Sequence, residues 1–411
     1  MIRFLIKHQR VILIITICVG IILTLFRQDL LIKPYHYYRS LSAEIETLEI
    51  VIPEQKFALL DSLRSDVLNT SIVKQSHKRY VTASLIRDTD TLKIKIRLKG
   101  DQLDHYQTNP PSYRIKILKD KTFLGMNKFS VQSFAMRNFF TEWLYLNLLS
   151  QQDVLSLKMD VIRLVINGSE AIYSFEEHFT YHLTDRFSRP RGPIICISED
   201  LFWKNGHVND SVTYHSEEEI YRRSPLKAFK YYAPLDSVLV KKAKNLLNDF
   251  RKNTKTASEV FDINRLAFHY AISDLTNTHH ALRWHNNRFY YNSSSEKLEP
   301  IGFDGSCWGL LSAFAYDDEL LHSIKWSKLF SDKNFVLAYL DHLERVSSDA
   351  FLQGFFAQKK NEIHNLENKV YLENLFFRGN QHIRSIYSNA EWIRDNLAGY
   401  RKRLLNVNEA E

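Results

Sequence analysis

Leu92, Ile94, Ile96 and Leu98 alternate with Lys93, Lys95 and Arg97, and a period of two predicts a strand with one buried and one exposed face. Tyr113 to Leu118 repeats the pattern with Arg114 and Lys116 on the polar side, and Tyr80 to Ile86 reads as a further strand. Asp160 to Ile166 and Ala171 to Phe175 flank Asn167-Gly168; Asn-Gly between two apolar runs signals a hairpin, because both residues tolerate positive φ. Elsewhere the period is helical. Pro53 suits the first position of a helix running to about Leu68, and Arg137 begins another that reaches Ser150 with Phe140, Leu144 and Leu148 on one face. Ile263, Leu266, Ala267, Tyr270 and Ala271 mark a buried helix ending near Asp274. Val238 to Asn253 is a basic amphipathic helix. Beyond residue 310 the pattern is mostly helical: Asn334 to Val346, a weaker segment to Lys369, then Ala390 to Leu405.

The N-terminus carries a different signal. Val11 to Phe26 is apolar apart from Thr16 and Thr24, behind Arg3, Lys7 and Arg10. A bilayer takes about 20 apolar residues, or about 17 at the short end, and no small-x-small cleavage site precedes Arg27. The expectation is a single-pass signal-anchor over 11–27 that brings the chain to the membrane. Residues 1–10 would be a cytoplasmic tail, 28–50 a juxtamembrane stem and 51–411 an extracytoplasmic domain. Residues 185–235 look irregular, like a long insert.

A net charge of +8 on 411 residues suits an anionic ligand such as a nucleotide. No basic run interleaved with stacking aromatics occurs, so nucleic acid is not an expected partner. Cys18, Cys196 and Cys307 form no disulfide framework and no CxxC motif.

Candidate chemistry concentrates between Asp274 and Gly309. A carboxylate on the apolar stripe of a buried helix must find a partner, and Asp274 sits there. His279, His280, Arg283, His285, Asn286 and Asn287 follow, then a short hairpin that ends at Phe303, Asp304 and Gly305. Asp304 suits a hard Mg²⁺ ion, with Asn286 or Asn287 able to add a second oxygen. Arg283 could stabilise charge on a transferring group. Upstream, Glu176 and Glu177 end the Asn-Gly hairpin. By alternation Glu177 shares a face with Tyr173 and Phe175; if that face is buried, Glu177 is the inward carboxylate. The basic residues of the alternating strands are either a solvated face or a phosphate grip.

Six segments in order, IKIRLKG (94–100), SYRIKI (112–117), FAMRN (134–138), VIRLVINGSEAIYSFEEHF (161–179), HHALRWHNNRFYYN (279–292) and LEPIGFDG (298–305), resemble the CotH family of atypical, kinase-like spore-coat proteins and their bacterial relatives. The resemblance implies an α+β, atypical protein-kinase-like bilobal domain, with a strand-rich lobe at about 75–180 over a helical lobe at about 235–411. It implies ATP and Mg²⁺ as cofactors and phosphate transfer to a protein or cell-envelope acceptor. It makes Lys116, then Arg97, the phosphate-binding cation, and places a glutamate at the hairpin's end.

The chain departs from the family where an aspartate usually serves as acid-base, reading Thr278-His279-His280-Ala281 instead; Ser306 also replaces the second aspartate of a D-x-D ending. Either His280 or Asp274 takes the role, histidine being able to act as a base near neutral pH, or the role is gone. Two alternatives therefore stand beside the kinase reading. One is a catalytically inactive assembly or binding module. The other is a metal-dependent hydrolase holding zinc on His279, His280, His285 and Asp304, although the spacing of His280 and His285 fits no H-x-x-x-H pair.

Overall fold

The computed structural model describes residues 9–87, 90–119, 121–134, 138–202, 216–229, 236–306, 309–318 and 326–410. They form two compact units, one from the described part of Met1–Glu46 with Lys359–Gly379, the other from Thr47–Gln358 with Asn380–Glu411.

The first unit is built on helix α1, Gln9–Ser40, which contains Pro34. Its C-terminal end is held by packing and charge. His36 stacks on Tyr371 with ring centres 3.9 Å apart, and Arg39 donates to Asn368 Oδ1 at 2.8 Å and to Glu367 Oε2 at 3.0 Å. Toward the other end Leu13, Ile14, Ile17 and Val19 are exposed. No helix among the described residues is long and apolar enough to cross a membrane. This overturns the expected single-pass anchor at 11–27 and the localisation drawn from it. The physical reason is length: the apolar run stops at Arg27, short of the roughly 20 residues a bilayer needs, while α1 continues as a polar helix for thirteen residues more.

The second unit opens with β1, Glu46–Val51, inside what reads by sequence as a stem. Helix α2, Glu54–Thr70, follows, then β2 (Val81–Arg87), β3 (Asp90–Leu98), β4 (Tyr113–Ile117) and β5 (Lys128–Gln132). Helix α3, Phe139–Gln151, is buried on most of its circumference; Arg137, its expected first residue, lies outside the described residues. After the two-residue β6 (Leu155–Ser156) come β7 (Met159–Ile166) and β8 (Ser169–Glu177). Seven of these strands close into a barrel in the order β1-β2-β3-β4-β5-β8-β7. Its interior is the inward half of each alternation: Ile94, Ile96, Ile115, Phe129, Tyr173 and Phe175 are buried there. Leu60 and Val67 of α2 join the same core.

Closure depends on one turn. Asn167 and Gly168 both have positive φ, as the Asn-Gly hairpin requires. Asn167 then stitches β7 to the first strand: its Oδ1 accepts from Ile52 N at 2.8 Å and its Nδ2 donates to Ile52 O at 2.9 Å. A closed sheet has no edges left to pair.

The remaining strands build a second sheet, in the order β10-β9-β11-β12-β6, from β9 (Ile194–Ile197), β10 (Leu226–Ala228), β11 (Arg288–Asn292) and β12 (Lys297–Gly302). Helices α4 (Ser237–Arg251), α5 (Ile263–Thr276), α6 (Lys333–Val346), α7 (Asp349–Tyr371) and α8 (Gly379–Ala410) complete the chain. Helix α5 is the hub, packing on α3, α6 and β12.

The bilobal kinase-like fold is therefore corrected. The architecture is α+β with a closed seven-stranded barrel, and no membrane-spanning helix stands in front of it among the described residues. The stem expected at 28–50 supplies β1, which lets the barrel close. The insert expected at 185–235 supplies β9 and β10, so the second half carries a five-stranded sheet as well as helices.

Candidate active site

The outer face of the barrel carries its charge in rows, because facing residues of neighbouring strands fall on the same side. Arg97 faces Arg114, Arg114 faces Ser130, and Ser130 faces Glu176. One row over, Lys95 faces Lys116 and Lys116 faces Lys128. One step past Arg97, Lys99 points the same way as Gln132. Its Nζ donates to Gln132 Oε1 at 2.7 Å and to Glu176 Oε2 at 3.2 Å.

Part of this face is covered, not solvated. Lys99, Ser130, Gln132 and Glu176 are all buried. Between them and residues of the second sheet lies a cavity of about 570 Å³. Its opposite wall carries Cys196 of β9, Lys227 of β10, Arg288 of β11 and Asp304 past β12. The charges on that wall are paired: Lys227 with Asp200, and Arg288 with Glu199.

The barrel-side cations behave differently. Arg97 donates to Leu98 O at 2.6 Å. Arg114 donates to Ser130 Oγ, and its Nη1 lies 3.1 Å from His178 Nε2. None of Arg97, Arg114 and Lys128 forms an ion pair with a carboxylate among the described residues, although Glu176 and Asp101 lie near enough to act on Arg114. The consequences show in their acidities. Burial, then the charges of Arg114, Arg97 and Lys116, push the Lys128 ammonium down to about 7. Burial and the neighbouring Arg97 lower Arg114. Burial and the surrounding cations hold His178 well below the usual imidazole value, so it is neutral.

Asp304 stands across the cavity at a positive φ of 55°. Its turn is held from below by α3: Gly305 N donates to buried Glu142 Oε1 at 3.2 Å. A side chain at Gly305 would press on the Tyr145 ring, so glycine is required there by close approach. His280 Nε2 lies 3.4 Å from Asp304 Oδ2, with about a third of its side chain exposed. His285 is buried, stacks on Phe202 at 4.5 Å, and is driven to about 3, first by burial and then by nearby His280 and Arg283. Asn286 lines the cavity. Its Nδ2 donates to His280 O at 2.9 Å, which fixes the oxygen as the free-facing end of the amide.

The expected site residues divide accordingly. Asp304, His280, Asn286 and Arg97 line the cavity; Lys116, Asp274, Arg283 and Asn287 do not. Asp274 is fully buried, accepting from His279 Nε2 at 2.7 Å, from Ala315 N at 2.8 Å and from the Tyr339 hydroxyl. It has no opening through which to take a proton from a substrate. Asn287 spends its amide on Leu282 O. Glu177 touches the cavity's edge, but its carboxylate holds Arg186 Nη2 at 2.6 Å and Lys158 N at 2.9 Å. Its neighbour Glu176 meets the lysine instead. Glu177 shares a face with Tyr173 and Phe175 as the alternation predicts, and that face is the barrel interior; Glu176 lies on the other.

Arg114 is one of the basic strand residues and Glu176 one of the two hairpin-end glutamates expected from the sequence, whereas Lys99, Lys128 and His178 are further residues of the cavity wall. Lys99 had a signal, since it continues the charged face of Lys95 and Arg97 by one more step of two.

A single carboxylate with an amide oxygen suits Mg²⁺, which takes the rest of its shell from phosphates and water. Asp304 and Asn286 fit that donor set. The four-residue zinc centre is not assembled. His279 is turned away between Asp274 and Asp318, at 2.7 and 2.8 Å, and no group of three or more His, Cys, Asp or Glu able to hold a metal ion occurs among the described residues.

Compared with known proteins, the chain matches no protein-family model, and no curated protein matches it.

Proposed function

We propose that this chain binds ATP with Mg²⁺ in the cavity between barrel and second sheet and transfers the terminal phosphoryl group to an acceptor. The observation that carries the reading is the trio Arg97, Arg114 and Lys128, three cations on adjoining strands of the cavity wall, none of which forms an ion pair with a carboxylate among the described residues. Clustered donors of one sign call for a multiply charged, acceptor-rich ligand, and a phosphate chain supplies both properties. The buried Lys99–Glu176 pair beside them keeps one ammonium fixed in position. Every segment that resembles the CotH-like kinases, apart from FAMRN, contributes a residue to the cavity wall: Lys99, Arg114, Glu176, His280 with Asn286, and Asp304.

Asp304 and Asn286 would hold Mg²⁺, which neutralises charge on the phosphates when bound. The arginines bind and orient the phosphate chain. In the transfer, an acceptor oxygen bonds to the terminal phosphorus while the bridging P–O bond breaks and ADP leaves with its electron pair. The acceptor's proton goes to a base, and His280, exposed beside Asp304, is the side chain placed to take it.

Calorimetry on the full chain tests this. ATP should bind in the presence of Mg²⁺ and lose that binding on chelation, and Asp304→Asn should fold normally yet abolish the metal dependence. Nucleotide bound with no ADP formed would indicate the binding module. No nucleotide binding at all would overturn both.

A further inference from the structure

Lys128 opens β5 on the barrel's outer face and is half-buried at the cavity wall. No hydrogen bond or ion pair to its ammonium occurs among the described residues, whereas Lys99, Lys227 and Lys78 in the same cavity each hold a carboxylate. The groups facing it from the neighbouring strands are mostly cations: Arg97 of β3, Arg114 and Lys116 of β4. Past the end of β8 it meets neutral His178. The carboxylates nearest on β8 are committed, Glu176 to Lys99 and Glu177 to Arg186. Across the cavity Asp200 and Glu199 are taken by Lys227 and Arg288. An ammonium in such surroundings is disfavoured twice over, by lost hydration and by like charge. Near neutral pH the group is divided between ammonium and free amine.

The geometry points to Lys128 as a nucleophilic amine, a covalent site within the cavity that takes an anionic aldehyde as an imine. The lone pair of the neutral amine adds to the carbonyl carbon, and the carbonyl oxygen leaves as water with both amine protons. A lysine placed beside another cation in a desolvated pocket is activated in this way. Arg97 and Arg114 would hold the ligand's anionic group, so that the aldehyde arrives oriented, not merely concentrated. The inference stands apart from phosphoryl transfer, since a chain that binds no nucleotide would still carry the amine.

The probe is pyridoxal phosphate with the full chain at pH 7.5. Cyanoborohydride delivers hydride to the imine carbon and fixes it as a secondary amine, and peptide mapping by mass spectrometry locates the label. Lys128 should be labelled at least roughly tenfold faster than exposed Lys93 and Lys95. Its rate should level off above about pH 7. Pyridoxal lacking the phosphate should label Lys128 much more slowly, and Lys128→Arg, which keeps the charge, should remove the fast phase. Should that variant fail to fold, the site map of the unaltered chain decides alone. Labelling spread evenly over the lysines, or equal rates with and without the phosphate, would overturn the proposal.

Discussion

Truncating Lys99 would take from buried Glu176 its ion-pair partner at 3.2 Å. Breaking a buried pair from one side costs about 3–5 kcal/mol, whereas replacing both members with apolar groups is often close to neutral. Lys99→Met should therefore lower the unfolding free energy by about that amount, and adding Glu176→Leu should recover much of it; denaturant melts of the single and double variants check this. If the double variant lost the sum of two large penalties, the pair would not be acting as a unit. His280 and Asp274 separate in a different assay. His280→Ala should lower ADP formation by roughly 10²–10⁴-fold, the usual worth of a general base, with nucleotide affinity little changed. Asp274→Asn should act chiefly through stability, because it weakens the bonds that hold His279, Ala315 and Tyr339 together. Near-normal turnover in His280→Ala would remove that residue from the mechanism. Of these residues, Asp304, His280 and Asn286 were legible in the sequence because they crowd into one short stretch. Lys128 was not, and Arg114 and Glu176 were legible only as one of several basic strand residues and one of two hairpin-end glutamates, since the three meet only through cross-strand register.

Among the elements, the C-terminal end of α5 is tied to its surroundings by His279. Burial opposes a charge on this ring, but the hydrogen bonds to Asp274 and Asp318 outweigh it and raise the group to about 9. An unfolded histidine titrates near about 6.5. The folded-state value is the higher one, so the stabilisation is fully present below about pH 6.5 and is lost as pH rises through about 9. Urea unfolding between pH 6.5 and 9.5 should show that decline, and His279→Gln should flatten it; an unchanged slope in the variant would place the titration elsewhere. Local pattern announced most of the elements that flank this region. The alternation of Leu92 to Leu98 is β3, the Asn-Gly turn joins β7 to β8, and the apolar stripe of Ile263 to Ala271 is α5. By contrast β9 is four apolar residues, too few for a period to declare itself, and β1 looked like a polar stem until Asn167 joined its strand to β7.

At the scale of the whole molecule, what the sequence withheld was closure. Alternation divides each strand into two faces, but it does not say that one becomes a barrel interior while the other is partly roofed by a second sheet. That roof turns two rows of basic residues into a wall of the cavity and leaves Arg97, Arg114 and Lys128 half-buried. Together these three cations form the proposed anion site. Its most direct test is the affinity of the full chain for Mg·ATP, measured by calorimetry with Arg114→Met set beside Lys93→Met, a change on the exposed part of the same face. A charge-assisted hydrogen bond contributes about 1.5–3 kcal/mol, so Arg114→Met should weaken binding by roughly 10–100-fold while Lys93→Met leaves it within about twofold. Equal affinities for Arg114→Met and the unaltered chain would rule out this wall as the anion site.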